Sequence, residues 1–335
     1  MAASFRLRTH DPCGARHAGR YVGMRMLARR VEAGALLSLD RDQAGGVPAH
    51  GLLALTLGEG AAVALPAKIA GLWCPLGGRV QIATPDGQFQ IRAGAICVSD
   101  SERPVEVSMG VGGTCVALLA SQSAWAQIAV ISDRTRDAPP VLFPAVHGVG
   151  GDLGQRLLRL AQDAAQEDGK RPWPAWRMLW LSQTLQDLQA EFAPLVARCP
   201  GRTAARKRQV FLRLQRVRHH VTTNPRIEFD IPQLARMANY SPWHFIKVFH
   251  AVFGEAPYAY LMRCRVEHAR RLIEQGALAV GEAARAAGFE SRATFSRAFR
   301  QRFSTSASEL RRASTATYGT EPEASIPEVT KKAAG

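Results

Sequence analysis

Residues 234–253 read LARMANYSPWHFIKVFHAVF, and residues 283–303 read AARAAGFESRATFSRAFRQRF. Both stretches follow one pattern, in which alanines recur at an offset of 49 before the central turn and phenylalanines at an offset of 50 after it. One extra residue therefore lies in the second turn. A short helix, a tight turn and a longer basic helix, present twice, indicate two helices built to enter grooves of double-stranded DNA.

The first repeat contains recognisable start and stop signals for its helices. A short helix is predicted over 231–238, with small alanines on its packing face. Asn239 tolerates the left-handed conformation that the turn requires. Ser241 is a good N-cap and Pro242 suits the first helical position, so the longer helix is predicted over 242–253. The second repeat, at about 280–303, has Gly288 at the turn and Ser291 or Glu290 as the cap.

Each longer helix is predicted to have a buried face and a DNA-facing one. Three phenylalanines at helical spacing point inward in the second helix, and two or three do so in the first. The candidate DNA-binding residues on the opposite faces are Trp243, His244, Ile246, Lys247, His250, Arg292, Ala293, Thr294, Ser296, Arg297 and Arg300. For any one of them, a solvated or phosphate-contacting position is the alternative.

The residue types suggest how bases would be read. Arg292 and Arg297 have the fork geometry for bidentate bonds to guanine, and Lys247 suits guanine or phosphate. Apolar groups such as Ile246 and the methyl of Thr294 suit thymine methyl groups. Because the first face is aromatic and aliphatic while the second is rich in arginine, the two half-sites are expected to differ in sequence.

A helix is predicted between the repeats, over 257–276. Its length of roughly 30 Å is close to one turn of B-DNA, about 34 Å, so it could place both reading helices in successive major grooves. Another basic amphipathic helix, predicted over 206–223, precedes the first repeat.

The charge distribution agrees with a nucleic-acid partner. The formal net charge is +15, and residues 201–313 hold 21 Lys and Arg against 8 Asp and Glu. Concentrated basic charge favours a polyanionic partner, since neutralising phosphates releases condensed counterions. The most apolar window, 51–74, is interrupted by charged residues and proline, which argues against a membrane partner. No signal peptide is evident, so a cytoplasmic location, in the bacterial nucleoid, is expected.

The N-terminal part has a different periodicity. Residues 1–145 contain short apolar runs between glycine-rich breaks, which are typical of a small sandwich or barrel. Two helices follow, over 152–168 and 174–197. The second carries Leu181, Leu185, Leu188, Phe192 and Leu195 in a four-three rhythm. That stripe is either a coiled-coil-like dimer seam or a face that packs on the β-domain.

Residues 206–312 resemble the DNA-binding domain of AraC/XylS-type bacterial transcription regulators. The resemblance rests on the two repeats, on APYAYLMRCRVEHARRLI between them, and on GF-x-S-x-x-x-F-x-R-x-F from Gly288 to Phe299. It implies that one monomer reads two adjacent grooves, that homodimers form, and that RNA polymerase is a partner of an activator. One departure is Ser304-Thr305-Ser306-Ala307, where the family usually has Gly-x-Ser-Pro. A left-handed serine costs about 1 kcal/mol.

The β-rich part is more weakly similar to the cupin-like sensor domain of the same regulators. The expected fold is therefore α+β and multidomain. Its parts are a cupin-like β-barrel sensor at 1–145, a helical linker or dimerisation segment at 146–197, a linker at 198–205, an all-α DNA-binding domain with two helix-turn-helix units at 206–312, and a disordered tail at 314–335.

The resemblance implies a small-molecule effector in the barrel, of unknown identity, with Trp73, Arg92 and Arg103 as candidate pocket residues. The alternative is a barrel that serves only for dimerisation. No His-x-His and glutamate set for a catalytic metal is evident, and no other cofactor is expected. A DNA-repair alkyltransferase would need a Pro-Cys-His-Arg motif that the chain lacks. The prediction is therefore a regulator and not an enzyme, with a thiol redox sensor using Cys74, Cys97 or Cys115 as a further alternative.

The basic helix before the first repeat generates a testable prediction. Replacing Arg206 and Arg208 together with alanine should lower the slope of log affinity against log salt by about 1 for each phosphate that these side chains neutralise. Filter binding over a salt series measures this slope. An unchanged slope would argue against phosphate binding by that helix.

Overall fold

The computed structural model describes residues 24–39, 46–48, 51–129, 131, 142–148, 151–167, 172–227, 229–276 and 278–318. Its packing divides the chain into two compact units. The first unit comprises Met1–Asn224 with Ile231–Glu255, and the second comprises Pro225–Asp230 with Ala256–Gly335. This division passes through the predicted DNA-binding domain but does not test the predicted domain boundaries, which stay a prediction.

The β-rich part of the first unit contains two sheets. The first sheet has the strand order β1-β3-β10-β5-β8-β11, and the second has the order β2-β4-β9-β6-β7. The strands are β1 (Arg25–Val31), β2 (Leu36–Ser38), β3 (Gly51–Leu57), β4 (Ala62–Leu65), β5 (Ile69–Pro75), β6 (Arg79–Thr84), β7 (Gly87–Arg92), β8 (Ala95–Ser99), β9 (Val105–Met109), β10 (Cys115–Ser121) and β11 (Ala145–Gly148). The pairs β1–β3 and β2–β4 are parallel, whereas the other pairs are antiparallel.

The first sheet is buried on both faces. Along β10, Val116 and Leu118 belong to a core shared with helices, whereas Ala117 and Leu119 belong to a core shared with the second sheet. This alternation follows from the two-residue period of a strand. It explains why the sequence of β10, CVALLAS, is almost continuously apolar.

The α+β class is confirmed, but the cupin-like barrel is not. Within the described residues the strands form two facing sheets, and neither sheet closes on itself. Apolar runs with turn signals are compatible with either arrangement, because closure depends on strand pairing rather than on local periodicity. Strands β6 and β7 form a hairpin, in which they pair from Arg79↔Arg92 to Thr84↔Gly87 around Pro85 and Asp86.

Helices cover the outer face of the first sheet. They are α1 (Gln122–Ala129), α2 (Gly151–Glu167) and α3 (Ala175–Gln189), followed by a one-turn 3-10 helix (Ala190–Phe192) and α4 (Ala193–Arg198). The single helix predicted over 174–197 is therefore divided. Leu181 and Leu185 are buried in the core with α1, α2 and the sheet. Leu181 and Leu185 thus pack on the β-domain, whereas Leu188 and Leu195 are only half-buried.

The C-terminal helices lie close to their predicted bounds. They are α5 (Ala204–Thr223), α6 (Ile231–Met237), α7 (Pro242–Phe253), α8 (Pro257–Glu274), α9 (Val280–Ala286), α10 (Arg292–Phe303) and α11 (Ala307–Tyr318). Because α11 reaches Tyr318, the tail predicted to be disordered from 314 is helical at its start. The rest of that predicted tail lies outside the described residues. Among the described residues, no helix is both long enough and apolar enough to cross a bilayer.

Equivalent ends of the two repeats use different residues for the same left-handed backbone. The helix α7 ends at Gly254 with φ 78°, whereas α10 ends at Ser304 with φ 56°. The left-handed serine that the sequence predicted is therefore present. After it, Ser306 caps α11 by accepting the backbone N–H of Glu309, whose carboxylate accepts the N–H of Ser306 in return.

The strained cap predicts a stabilising substitution. Ser304→Gly should raise the stability of the second unit by roughly 1 kcal/mol, because glycine adopts positive φ without a Cβ clash. Thermal unfolding followed by circular dichroism measures the shift. The matched control is Gly254→Ser, which should destabilise the first unit by a similar amount. A Ser304→Gly variant that unfolds at a lower temperature would contradict this account.

Candidate nucleic-acid interface

The first reading helix, α7, is positioned by a compact turn. Asn239 has φ 57°, and the backbone N–H of Tyr240 donates to the carbonyl of Ala235. Ser241 then caps α7 by accepting from the N–H of His244. Because Ala235 and its neighbour Ala238 are fully buried and small, α6 can lie close against α7. Phe245 and Phe249 anchor the buried face of α7.

The second reading helix, α10, is built on the same plan. Gly288 has φ 84°, and the N–H of Phe289 donates to Ala284 as Tyr240 does to Ala235. The cap is Ser291, which accepts from the N–H of Thr294. Glu290 is therefore the extra residue of the second turn and not the cap.

All eleven candidate DNA-binding residues are exposed on α7 or α10. On α7, Trp243 is 71% exposed and Ile246 is 40% exposed, which is unusual for large apolar side chains. The Lys247 ammonium lies 5.1 Å from the centre of the Trp243 ring, an attractive cation–π arrangement one helical turn apart. The structure thus gathers these residues on one face of each helix, while their contacts with DNA stay a prediction.

Several arginines of the second unit are paired with carboxylates in the described residues, whereas those on the outward face of α10 are not. Arg270 binds Glu274 at 2.7 Å, and Arg302 binds Glu267 at 2.9 Å. By contrast, no carboxylate in the described part of the chain lies within salt-bridge distance of Arg292, Arg297 or Arg300. Outward-facing guanidinium groups without an internal counterion are suited to an external polyanion.

The helix α5 carries residues that sequence reasoning missed. Its apolar stripe, which contains Val210, Leu214 and Val217, is buried, as an amphipathic helix requires. A second side is buried as well, and there the Arg216 guanidinium donates to both carboxylate oxygens of Asp100, at 2.9 and 3.1 Å. It also donates to Glu102. In a run of basic residues nothing local distinguished Arg216 from solvated arginines, because its partner lies 116 residues away.

Aromatic side chains connect α5 to the end of α7. Phe211 of α5 contacts Phe143 at 4.7 Å and Phe192 at 5.6 Å between ring centroids. The ring centroid of Phe211 also lies 6.1 Å from that of Phe253, the last residue of α7. The aromatic cluster therefore joins the β-domain, the helices that cover it and the first reading helix within the first unit.

A cleft of about 50 Å³ lies beside α5 and reaches the core between the sheets. Its lining includes Arg103, one of the three predicted pocket residues. The other two do not line it, since Trp73 is fully buried in the core and Arg92 is exposed. Such a volume holds a few water molecules, whereas ligand pockets span about 300–1,000 Å³.

Three histidines near this cleft are held in their neutral form. Burial lowers the pKa of His219 to about 4, although the charge of Asp100 opposes the shift. Burial also lowers the pKa of His220 and of His147. His219 packs edge-on against Phe89 of β7, with ring centroids 4.9 Å apart.

The three cysteines of the redox alternative are buried. Burial raises the pKa of Cys74 to about 11, and it also raises the pKa of Cys97 and Cys115. Because the thiolate is the reactive form, these environments disfavour a thiol sensor. The described residues hold no group of three or more histidine, cysteine or acidic side chains arranged for a metal ion.

Comparisons with known proteins agree with the geometry of the repeats. Residues 234–313 match the family described as "Helix-turn-helix domain". The HTH-type transcriptional regulator GlxA of Rhizobium meliloti (strain 1021) is 40% identical over 85 residues, which cover 25% of this chain and 26% of that protein. The HTH-type transcriptional regulator Rv1931c of Mycobacterium tuberculosis (strain ATCC 25618 / H37Rv) is 40% identical over 83 residues, covering 25% and 32%.

Residues 234–313 therefore form a helix-turn-helix domain similar to those of these two regulators. The chain is also similar to a solved structure of the DNA-binding domain of AdpA, a global transcriptional factor, in complex with target DNA. The two are 30% identical, the match covers 32% of this chain and 97% of the AdpA chain, and the TM-score is 0.31. Both matched relatives are transcriptional regulators, which agrees with the prediction of a regulator rather than an enzyme. The chain spans only about a quarter to a third of the two curated relatives.

The neutral histidines predict a pH dependence of stability. Between about pH 6.5 and pH 4, His219 binds a proton in the unfolded chain but not in the folded one. The free energy of unfolding therefore falls as the pH is lowered through this window. One such group contributes at most about 1.4 kcal/mol for each pH unit. His219→Gln should therefore make the loss of stability shallower, as measured by urea unfolding at pH 7, 6 and 5.

The matched control for this experiment is His250→Gln, since His250 is exposed on α7. It should leave the pH dependence of wild type unchanged. Equal pH dependence in wild type and His219→Gln would contradict the assignment of a buried neutral imidazole.

Proposed function

We propose that this chain is a sequence-specific transcription regulator that places α7 and α10 in adjacent major grooves of an asymmetric DNA site. The observation that carries the proposal is the pair of exposed, capped helices α7 and α10. Their outward faces hold Lys247 and three arginines that have no carboxylate partner among the described residues. Major grooves admit such helices, and their N-terminal side chains contact base edges.

Each face has a distinct proposed role. Arg292 and Arg297 of α10 read guanine, with Ser296 and Arg300 nearby for bases or phosphates and Ala293 and Thr294 for thymine methyl groups. On α7, Trp243 and Ile246 make apolar contacts, and Lys247, His244 and His250 make polar ones. The cation–π contact holds Lys247 over Trp243, which limits the positions that its ammonium can reach.

Selection from a randomised duplex library tests the central proposal. Full-length protein should enrich a site with two unlike half-sites about one helical turn apart, because the two faces differ in chemistry. Enrichment of no sequence would overturn sequence-specific binding. Enrichment of a single half-site would overturn the use of both helices by one monomer.

The β-domain is proposed to sense a small-molecule effector and to make the protein a responsive activator. The support is the cleft beside α5, which connects the core between the sheets to the first helix of the DNA-binding domain. Because this cleft holds only a few water molecules, an effector of ordinary size would have to move side chains or α5 to bind there. A homodimer in the cytoplasm that contacts RNA polymerase completes this proposal.

The alternative is a regulator without an effector, whose β-domain serves only for dimerisation. A metabolite library screened by thermal unfolding separates the two ideas, since a ligand that binds the folded state raises the unfolding temperature. Compounds that do so are then tested for an effect on DNA affinity. Unchanged stability and affinity across the library would favour the alternative.

A single arginine tests base reading by α10. Arg297→Ala should weaken binding to the selected site by about 1–3 kcal/mol and relax the preference at one base pair. Fluorescence anisotropy with the selected duplex and its single-base variants measures both effects. The matched control is Arg302→Ala on the same helix, where the arginine binds Glu267 and should not read bases. Equal reductions of affinity on selected and random DNA would contradict the assigned role.

A further inference from the structure

One buried ion pair joins the β-domain to the DNA-binding domain. The side chains of Arg216 on α5 and Asp100 after β8 are only 6% and 8% exposed. Two parallel N–H···O bonds of 2.9 and 3.1 Å fix the planes of the guanidinium and the carboxylate relative to each other. The backbone N–H of Glu102 donates to Asp100 at 2.8 Å, which holds the carboxylate in place from the β-domain side.

The same helix contacts the C-terminal end of α7. The Arg218 guanidinium, half a turn from Arg216, lies 5.4 Å from the centre of the Phe253 ring. Phe211 contacts Phe253 from the preceding turns of α5. From α4, the Arg198 guanidinium donates to the carbonyl of Val252 at 3.4 Å. Helices α4 and α5 thus hold the end of α7, while its outward face stays exposed.

The two reading helices have different supports. The helix α7 belongs to the compact unit that contains the β-domain, α4 and α5. The helix α10 belongs to the other unit, where Phe295 and Phe299 share a core with Val266, Ala269 and Ile273 of α8. Within the first unit, the packing therefore links α7 directly to the β-domain.

We propose that Arg216 and Asp100 form a positioning pair that sets how α7 is presented to DNA, so that the β-domain controls reading of the first half-site and not of the second. This inference rests on the proposed function and assigns the regulation to one of its two reading helices. Because the outward face of α7 is exposed while the pair is formed, the paired state is competent for reading. Disruption of the pair should therefore weaken recognition of the first half-site.

The chemistry of the pair favours a role in geometry. Desolvation offsets much of the Coulomb attraction in a buried ion pair, so such a pair contributes little net stability while specifying one arrangement. Removing one partner leaves a buried charge without compensation and shifts the helix that carries it. A shift of α5 would be transmitted to α7 through the rings of Phe211 and Phe253.

The test uses three full-length variants. Asp100→Asn weakens the pair, and Arg216→Gln combined with Asp100→Asn replaces it with neutral side chains. The matched control is Asp163→Asn, which weakens the ion pair of 2.7 Å between α2 and α3 in the same unit but away from α5. Circular dichroism first establishes that each variant is folded.

The DNA readout separates the half-sites. The duplex selected by wild type is compared with two derivatives, each scrambled in one half, by fluorescence anisotropy. The Lys247→Ala variant identifies the half-site that α7 reads. It is the half-site whose scrambling no longer lowers the DNA affinity of this variant. In both pair variants, the ratio of affinity for the intact duplex to affinity for the duplex scrambled in that half should fall about tenfold. This is the order expected for loss of a single base-reading side chain. The same ratio for the other half should stay unchanged.

Two results with the pair variants would overturn the proposal. One is an equal fall of both ratios, and the other is no change in either ratio with folded variants. The Asp163→Asn control should leave both ratios as in wild type; if it reduces the first ratio as much as Asp100→Asn does, the effect is a general loss of stability and the positioning role is wrong.

Amide hydrogen exchange tests the coupling without DNA. In Asp100→Asn, exchange in α7 should become faster while exchange in α10 stays as in wild type. If wild type selects no DNA sequence, the proposed function fails, and the exchange result still decides whether the pair positions α7. Equal acceleration in α7 and α10, or none in either, would refute the positioning role.

Discussion

The ion pair between Arg216 and Asp100 constrains how the first unit is assembled. A guanidinium that donates two parallel bonds to one carboxylate tolerates little rotation, so α5 has one orientation on the end of the β-sandwich. With that orientation, Phe211 contacts Phe143 and Phe192 as well as Phe253. The position of the first reading helix therefore depends on an interaction that involves no DNA-binding residue.

The two helix-turn-helix units show how one backbone plan accepts different side chains. Both turns need a left-handed residue, which is Asn239 in the first and Gly288 in the second. Asparagine has a small steric cost there, whereas Gly288 meets a further requirement. A Cβ at Gly288 would lie 3.1–3.3 Å from Arg265 and from two backbone carbonyls. The outward faces are free of these constraints, so they can differ in chemistry while the buried faces stay alike.

Local sequence signals were sufficient to predict the two repeats, but they predicted little of the tertiary packing. The start of α7 was predicted from the Ser241 cap and from Pro242, which both act within a few residues. The exposed side chains followed from the helical period. The two open sheets and the inward packing of Leu181 and Leu185 did not follow, because one apolar stripe is compatible with a dimer seam or with a core.

The sequence by itself determined the two reading helices, their caps, their left-handed turns and the residues on their outward faces. Each of these depends on hydrogen bonds and steric preferences between residues close in the chain. The tertiary structure alone decided that Arg216 is buried, that α4 contacts α7, and that the strands form two sheets. Those outcomes depend on partners such as Asp100, more than a hundred residues away, and no local pattern records which distant group a side chain will meet.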